Sequence, residues 1–174
     1  MPNKIQRFDY CFNYGKNAEI RFAESFLTDF GYATKYQDIY EHWDVYGILT
    51  NVLNNVMKFD VKSAPRLKHS PTAGIMESVW VEGTNVSGNK GWVKGNADYI
   101  VFEREDSCMI VNREKLLALN NQKLKENNYK KGKGNYKKPT AYLIHTRVGR
   151  RDKVTQVVFD DMKTIEHYEL NKKG

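Results

Sequence analysis

Apolar residues recur at helical spacing through residues 16–30: Ile20, Phe22, Ala23, Phe26, Leu27 and Phe30 form one stripe, and Gly31 follows as a stop. The pattern predicts a first helix over that span. Residues 33–40 alternate and are rich in Tyr and Ile, which predicts a strand. Two further strand-like runs, 42–49 and 56–62, flank the polar, Asn-rich stretch 50–55 and read as a hairpin. Strands are predicted at 78–82 and 97–103, around a glycine-rich loop at 83–91. A short strand at 108–111 leads into a second helix over about 113–126. Beyond a lysine-rich stretch, 141–146 and 154–159 read as strands and 160–170 as a closing helix. Helix, strands, then helix again predict an α/β fold, a mixed β-sheet flanked by helices.

Length and composition narrow the class. At 174 residues the chain suits one domain, here with a basic loop embedded at about 123–138, and 40% apolar residues supply a real core. No apolar run could cross a bilayer, so no membrane association is expected. The first residues, MPNKIQRF, lack the apolar core of a secretory signal peptide, which predicts a cytoplasmic protein of a bacterial or phage-infected cell. Cys11 and Cys108 are far apart and in apolar contexts, so neither a zinc knuckle nor a disulfide framework is expected, and buried structural thiols outweigh a cysteine nucleophile paired with His145. His42, His69, His145 and His167 show no metal-binding i, i+4 spacing, and no phosphate-binding glycine loop of the Walker type occurs. Zinc hydrolases and nucleotide hydrolases drop out.

The formal charge of +7 is concentrated. Residues 123–138 carry +6 and residues 147–153 carry +3, so the rest of the chain nets −2. In the first stretch Lys130, Lys131, Lys133, Lys137 and Lys138 are interleaved with Tyr129, Tyr136, Gly132 and Gly134, and Arg147, Arg150 and Arg151 crowd the second. Lysines seek phosphates, and tyrosines stack on bases, so DNA is the expected partner. The competing reading is a solvated lysine-rich loop.

Several carboxylates are hard to explain as surface. Glu19 falls in the middle of the first helix's apolar stripe, where an unpaired charge costs several kcal/mol. The alternative is a first-turn Glu that complements the helix dipole. In the strand 56–62, Asp60 and Lys62 project to the same side, because side chains alternate with period two. If the hairpin turns near Val52 and Leu53, Asp44 lies opposite Asp60 or Val61. Two carboxylates and an ammonium then converge, a grouping best tolerated around a divalent cation or a shared proton.

A helix carrying Glu19, an Asp opening a strand (Asp44) and an apolar strand ending in Asp60-Val61-Lys62 resemble the PD-(D/E)XK nucleases. The resemblance covers roughly residues 15–103, including Glu82 and the stretch GWVKGNADYIVFE, whose pattern is similar to small phage-type and selfish-element (homing) members. Trp43 stands where the motif's name has Pro, at a position that varies widely in the family.

What the resemblance implies is a restriction-endonuclease-like core and divalent-metal-dependent phosphodiester hydrolysis on DNA. Asp44 and Asp60 would bind Mg²⁺, for which Mn²⁺ substitutes, together with the backbone carbonyl of Val61 and, directly or through water, Glu19. Lys62 would orient the attacking water or offset phosphorane charge, and Glu82 would be a further ligand, against the reading of a strand-end surface residue. Asp98 at the start of the next strand could be a ligand as well, though a turn-capping role is the stronger expectation. Cutting both strands with one small site implies a homodimer or higher homo-oligomer. The rival is a non-catalytic nucleic-acid-binding protein; within the enzyme class an endonuclease, a Holliday-junction resolvase and a recombination exonuclease all fit.

Replacing Lys130, Lys131 and Lys133 by Ala should weaken binding to every DNA sequence and flatten the log–log salt dependence by about 0.9 for each duplex phosphate no longer neutralised. A salt titration of DNA affinity in both proteins checks this, and an unchanged slope would make these lysines bystanders.

Overall fold

The computed structural model describes residues 16–63, 78–85, 87–126, 144–145 and 153–173. Helix α1 spans residues 16–26 and runs directly into strand β1, Leu27–Tyr32. The expected helix over 16–30 is therefore a turn too long. Leu27 is buried with α1's apolar face, but Phe30 is 39% exposed at the sheet margin. The pairing of β1 is irregular between Thr28 and Gly31, with Asp29 at φ 50°, a left-handed conformation that Asp tolerates better than most residues.

The predicted strand at 33–40 is not one. Residues Gln37–Glu41 form a π-helical turn that ends at His42 in a left-handed conformation, φ 54°. Thr34 and Gln37 hold its start reciprocally: the Thr34 N–H donates to Gln37 Oε1 at 2.9 Å and the Gln37 N–H to Thr34 Oγ1 at 3.3 Å.

Strands β2 (Val45–Leu49) and β3 (Val56–Lys62) form the expected hairpin, with Val45 opposite Phe59 and Tyr46 opposite Lys58. Strand β4 is Ser78–Thr84, β5 is Tyr99–Glu103 and β6 is Ser107–Asn112. Helix α2 covers Arg113–Glu126 and starts where the Asn112 side chain accepts the Lys115 N–H at 3.0 Å. Strands β7 (Ile144–His145) and β8 (Lys153–Val158) precede the short helix α3, Phe159–Met162. The expected closing helix over 160–170 stops there, and His167–Asn171 forms strand β9 instead. Its edge pairing with β6, from Val111 opposite His167 to Ser107 opposite Asn171, satisfies backbone groups that a helix would have satisfied internally.

Among the described residues the fold is α/β, with a mixed, mostly antiparallel six-stranded sheet ordered β1-β2-β3-β5-β6-β9 and a three-stranded sheet ordered β4-β8-β7. The β3–β5 pair is parallel, with Asp60 opposite Ile100 and Lys62 opposite Phe102. Alternation along β5 and β6 separates two cores. On one face Phe59, Val61, Tyr99, Val101 and Ile110 pack against Ala18, Phe22 and Ala23 of α1. On the other Ile100, Phe102, Met109 and Val111 pack with Leu116 and Leu119 of α2 and with Val79, Val81 and Val157 of the smaller sheet. No helix among the described residues is long and apolar enough to cross a membrane.

Phe59 is fully buried, with its ring edge-on to Phe22 at 5.2 Å and stacked on Tyr99 at 5.9 Å. Phe59→Ala should therefore destabilise the protein by about 3–5 kcal/mol. Urea unfolding measures it, and a loss below about 1 kcal/mol would remove Phe59 from the core.

Candidate active site

The β2–β3 register puts Asp44, the residue just before β2, across from Asp60 on β3. The Asp44 N–H donates to the Phe59 carbonyl at 2.8 Å, extending the ladder by one bond. The Val61 N–H then donates to Asp44 Oδ2 at 2.6 Å, which fixes the carboxylate's orientation. Both Asp44, 8% exposed, and Asp60, 3% exposed, are buried. Because Phe59 and Val61 face the α1 side, alternation sends Asp60 and Lys62 to the opposite face, and Lys62 Nζ lies 2.7 Å from Asp60 Oδ1. The Lys62 ammonium also sits over the Trp92 ring, 4.6 Å from its centre, so an aromatic floor limits its freedom.

One oxygen is left over. Asp60 Oδ2 is buried and, among the described residues, meets no hydrogen-bond partner. A buried acceptor without a partner costs on the order of 1–3 kcal/mol.

Glu19, half-buried on α1, brings a third carboxylate into the same field. Its pKa is pushed up to about 7, first by burial and then by the negative charges of Asp38 and Asp60, with Lys16 and Lys62 acting in the opposite sense. The Asp44 carboxyl is held well above the usual carboxylate range by burial and by Asp60, again against Lys62. Four side chains from three separate segments, Glu19 of α1, Asp44 before β2, and Asp60 and Lys62 of β3, thus share one electrostatic neighbourhood. The three carboxylates do not close into a ready-made cage: among the described residues no group of three or more His, Cys, Asp or Glu side chains could hold a metal ion.

The remaining sequence candidates fall elsewhere. Glu82 belongs to β4 in the smaller sheet. Its backbone carbonyl abuts Gly91 so closely that a Cβ there would collide with it, and Gly91 precedes Trp92, the floor beneath Lys62. Asp98 caps, as expected of a turn residue: its Oδ2 accepts the Lys58 N–H at 2.8 Å. Cys108 is buried, its thiol pushed up to about 12 by desolvation. Lys130, Lys131, Lys133, Lys137, Lys138, Arg147, Arg150 and Arg151, like Cys11, lie outside the described residues.

Sequence reasoning does not reach Asp38 or Trp92. Asp38 becomes legible only with the π-helical turn, although the spacing Thr34-x-x-Gln37 is a capping-box signal for a helical start. Trp92 belongs to the stretch GWVKGNADYIVFE, but nothing in that pattern gives it a role; packing puts it under Lys62.

Glu19 generates a pH dependence. Its acid form is favoured in the folded protein, so its contribution is fully present below about pH 4.5 and is lost as pH rises to about 7. In metal-free buffer Glu19→Gln should lack that part of the decline, gaining stability relative to wild type between about pH 5 and 8. After allowance for solvent screening the gain is on the order of 1 kcal/mol. Urea midpoints at the two pH values check it, and parallel profiles would refute the assignment.

Comparison with protein-family models, curated proteins and solved structures finds no match for this chain.

Proposed function

We propose that the protein is a divalent-metal-dependent nuclease that hydrolyses phosphodiester bonds in DNA, with a restriction-endonuclease-like core built on α1, β2, β3 and β5. The observation that carries this reading is the buried Asp44–Asp60 pair, facing across adjacent strands beside Lys62, with Asp60 Oδ2 left without a partner among the described residues. Two carboxylates in a low-dielectric site repel, and a hard divalent cation such as Mg²⁺ is the neutraliser their oxygen chemistry suits. The donor set fits by chemistry and charge: Asp44 and Asp60 would hold the ion with the Val61 carbonyl, while Glu19 would act through water. When bound, such an ion polarises a phosphoryl oxygen and makes water a stronger nucleophile.

The chain's own groups do the positioning. The Val61 N–H holds the Asp44 carboxylate in one orientation. Lys62, braced between Asp60 and Trp92, orients water and offsets the negative charge that grows on the phosphorane. Glu19, whose carboxyl burial and neighbouring negative charges make a stronger proton acceptor than an ordinary Glu, stands where it could take a proton from water. The +7 net charge, concentrated in two stretches, supports a polyanionic substrate.

Asp44→Asn or Asp60→Asn should abolish Mg²⁺-dependent strand scission, by at least about 100-fold given what one charge-stabilising group contributes, while DNA binding persists or tightens. A plasmid-nicking assay with a Mg²⁺ titration, run beside a DNA-binding assay, tests this. Wild-type protein that binds DNA but never cuts would leave a binding module; nicking retained in either variant would move the site elsewhere.

A further inference from the structure

Between Ala33 and Asp44 the chain makes an excursion that closes on itself. The Ala33 N–H donates to the Asp44 carbonyl at 2.7 Å, so the loop begins and ends beside the candidate active site. Its far shoulder is locked as well: the Asn96 N–H donates to the Glu41 carbonyl at 2.7 Å, and a Cβ on Gly95 would lie 2.8 Å from that oxygen and 2.6 Å from His42 Cβ. Two tyrosines stand on this loop one helical turn apart, with ring centres 4.8 Å apart and planes inclined at 39°. Tyr36 is 65% and Tyr40 68% exposed, and Ile39 beside them is 48% exposed.

Exposed rings paired on a loop that starts and ends at the candidate active site have a use. We propose that Tyr36 and Tyr40 form a stacking platform for an unpaired nucleobase of the DNA strand engaged at Asp44 and Asp60. The proposal rests on the nuclease reading and deepens it by naming the substrate class: DNA with unpaired nucleotides at or beside the cut, such as an overhang, flap, bubble or junction. Bases inside a duplex have their faces covered by neighbours, so only an unpaired base can stack on a protein ring. The ring centres already lie within 4.8 Å of each other, so part of the platform is assembled before any base arrives. Polar residues are interleaved with them, Lys35 before Tyr36 and Gln37 and Asp38 after it. That composition is poor for a second copy of the chain, since a stable dimer covers on the order of 800 Å² per partner with a depleted share of charge at its centre.

The test uses the whole chain in EDTA, so that no cutting occurs, with fluorescently labelled single-stranded and blunt duplex oligonucleotides of equal length. The double variant Tyr36→Ala, Tyr40→Ala should lose on the order of 10-fold or more in single-strand affinity. Duplex affinity should change less than about twofold, and the salt slope should hold, because every phosphate-binding cation is still present. Tyr36→Phe with Tyr40→Phe should bind like wild type, and its matching thermal melt confirms the fold. Equal losses on both DNAs, or no loss on either, would overturn the platform while leaving the nuclease reading intact. A wild-type dimer that the Ala variant converts to monomer in sedimentation would reassign the rings to an interface between copies. Wild-type protein that binds neither DNA would remove the nucleic-acid reading and the platform with it.

Discussion

Like charge held at close quarters in a dry place is the constraint on which this site depends. Asp44 and Asp60 cannot move apart, because Val45 and Phe59, their neighbours in the same ladder, are fully buried on the α1 face. Sliding the hairpin by one residue would turn Phe59 and Val61 outward. Hydrophobic burial therefore enforces an electrostatic conflict that Lys62 only partly relieves. That imbalance is what makes the pair a candidate for cation binding rather than a structural ion pair.

The rest of the molecule holds the pieces in register. Helix α1 brings Glu19 to the site because Phe22 and Ala23 are buried against the sheet and because Arg21 grips Glu103 at the end of β5 through two 2.8 Å bonds. Glu103 is buried, and Lys172, just past β9, approaches it at 3.5 Å, so this carboxylate is neutralised from two sides. The contrast with Asp60 is informative. Glu103 is held between two cations and makes a clamp, whereas among the described residues Asp60 has Lys62, a carboxylate opposite and an oxygen without a partner. On the far face Trp92 and Trp43 floor Lys62 and Lys58, placing cations over rings on both sides of the acidic pair.

Much of the architecture is readable from periodicity. The β2–β3 hairpin, β5, β6 and the span of α2 follow from alternation and from the Asn112 cap. Two segments depart from the periodic expectation for the same reason, that their apolar spacing suits more than one period. In residues 160–170, Met162, Ile165 and Tyr168 recur every three residues as in a helix, yet the exposed edge of β6 needs a partner, and pairing decides the matter. In residues 33–40 the aromatic alternation resembles a strand, while Thr34 and Gln37 are spaced to cap a helical turn; the local hydrogen bonds prevail because the chain has to return within reach of Asp44.

Read alone, the sequence determined which side chains could meet on one patch of sheet: period two sets Asp60 and Lys62 on one side of a strand, and the hairpin's length aligns Asp44 with them. It determined the location of the positive charge as well. Only the tertiary structure decided that Glu19 shares their field, that Asp60 keeps a buried oxygen unpartnered among the described residues, that Glu82 belongs to another sheet and that Trp92 lies under Lys62. The physical reason is range. Strand alternation and hairpin register are set by neighbours within one local segment, whereas desolvation and charge coupling depend on which distant segments exclude water from the same place.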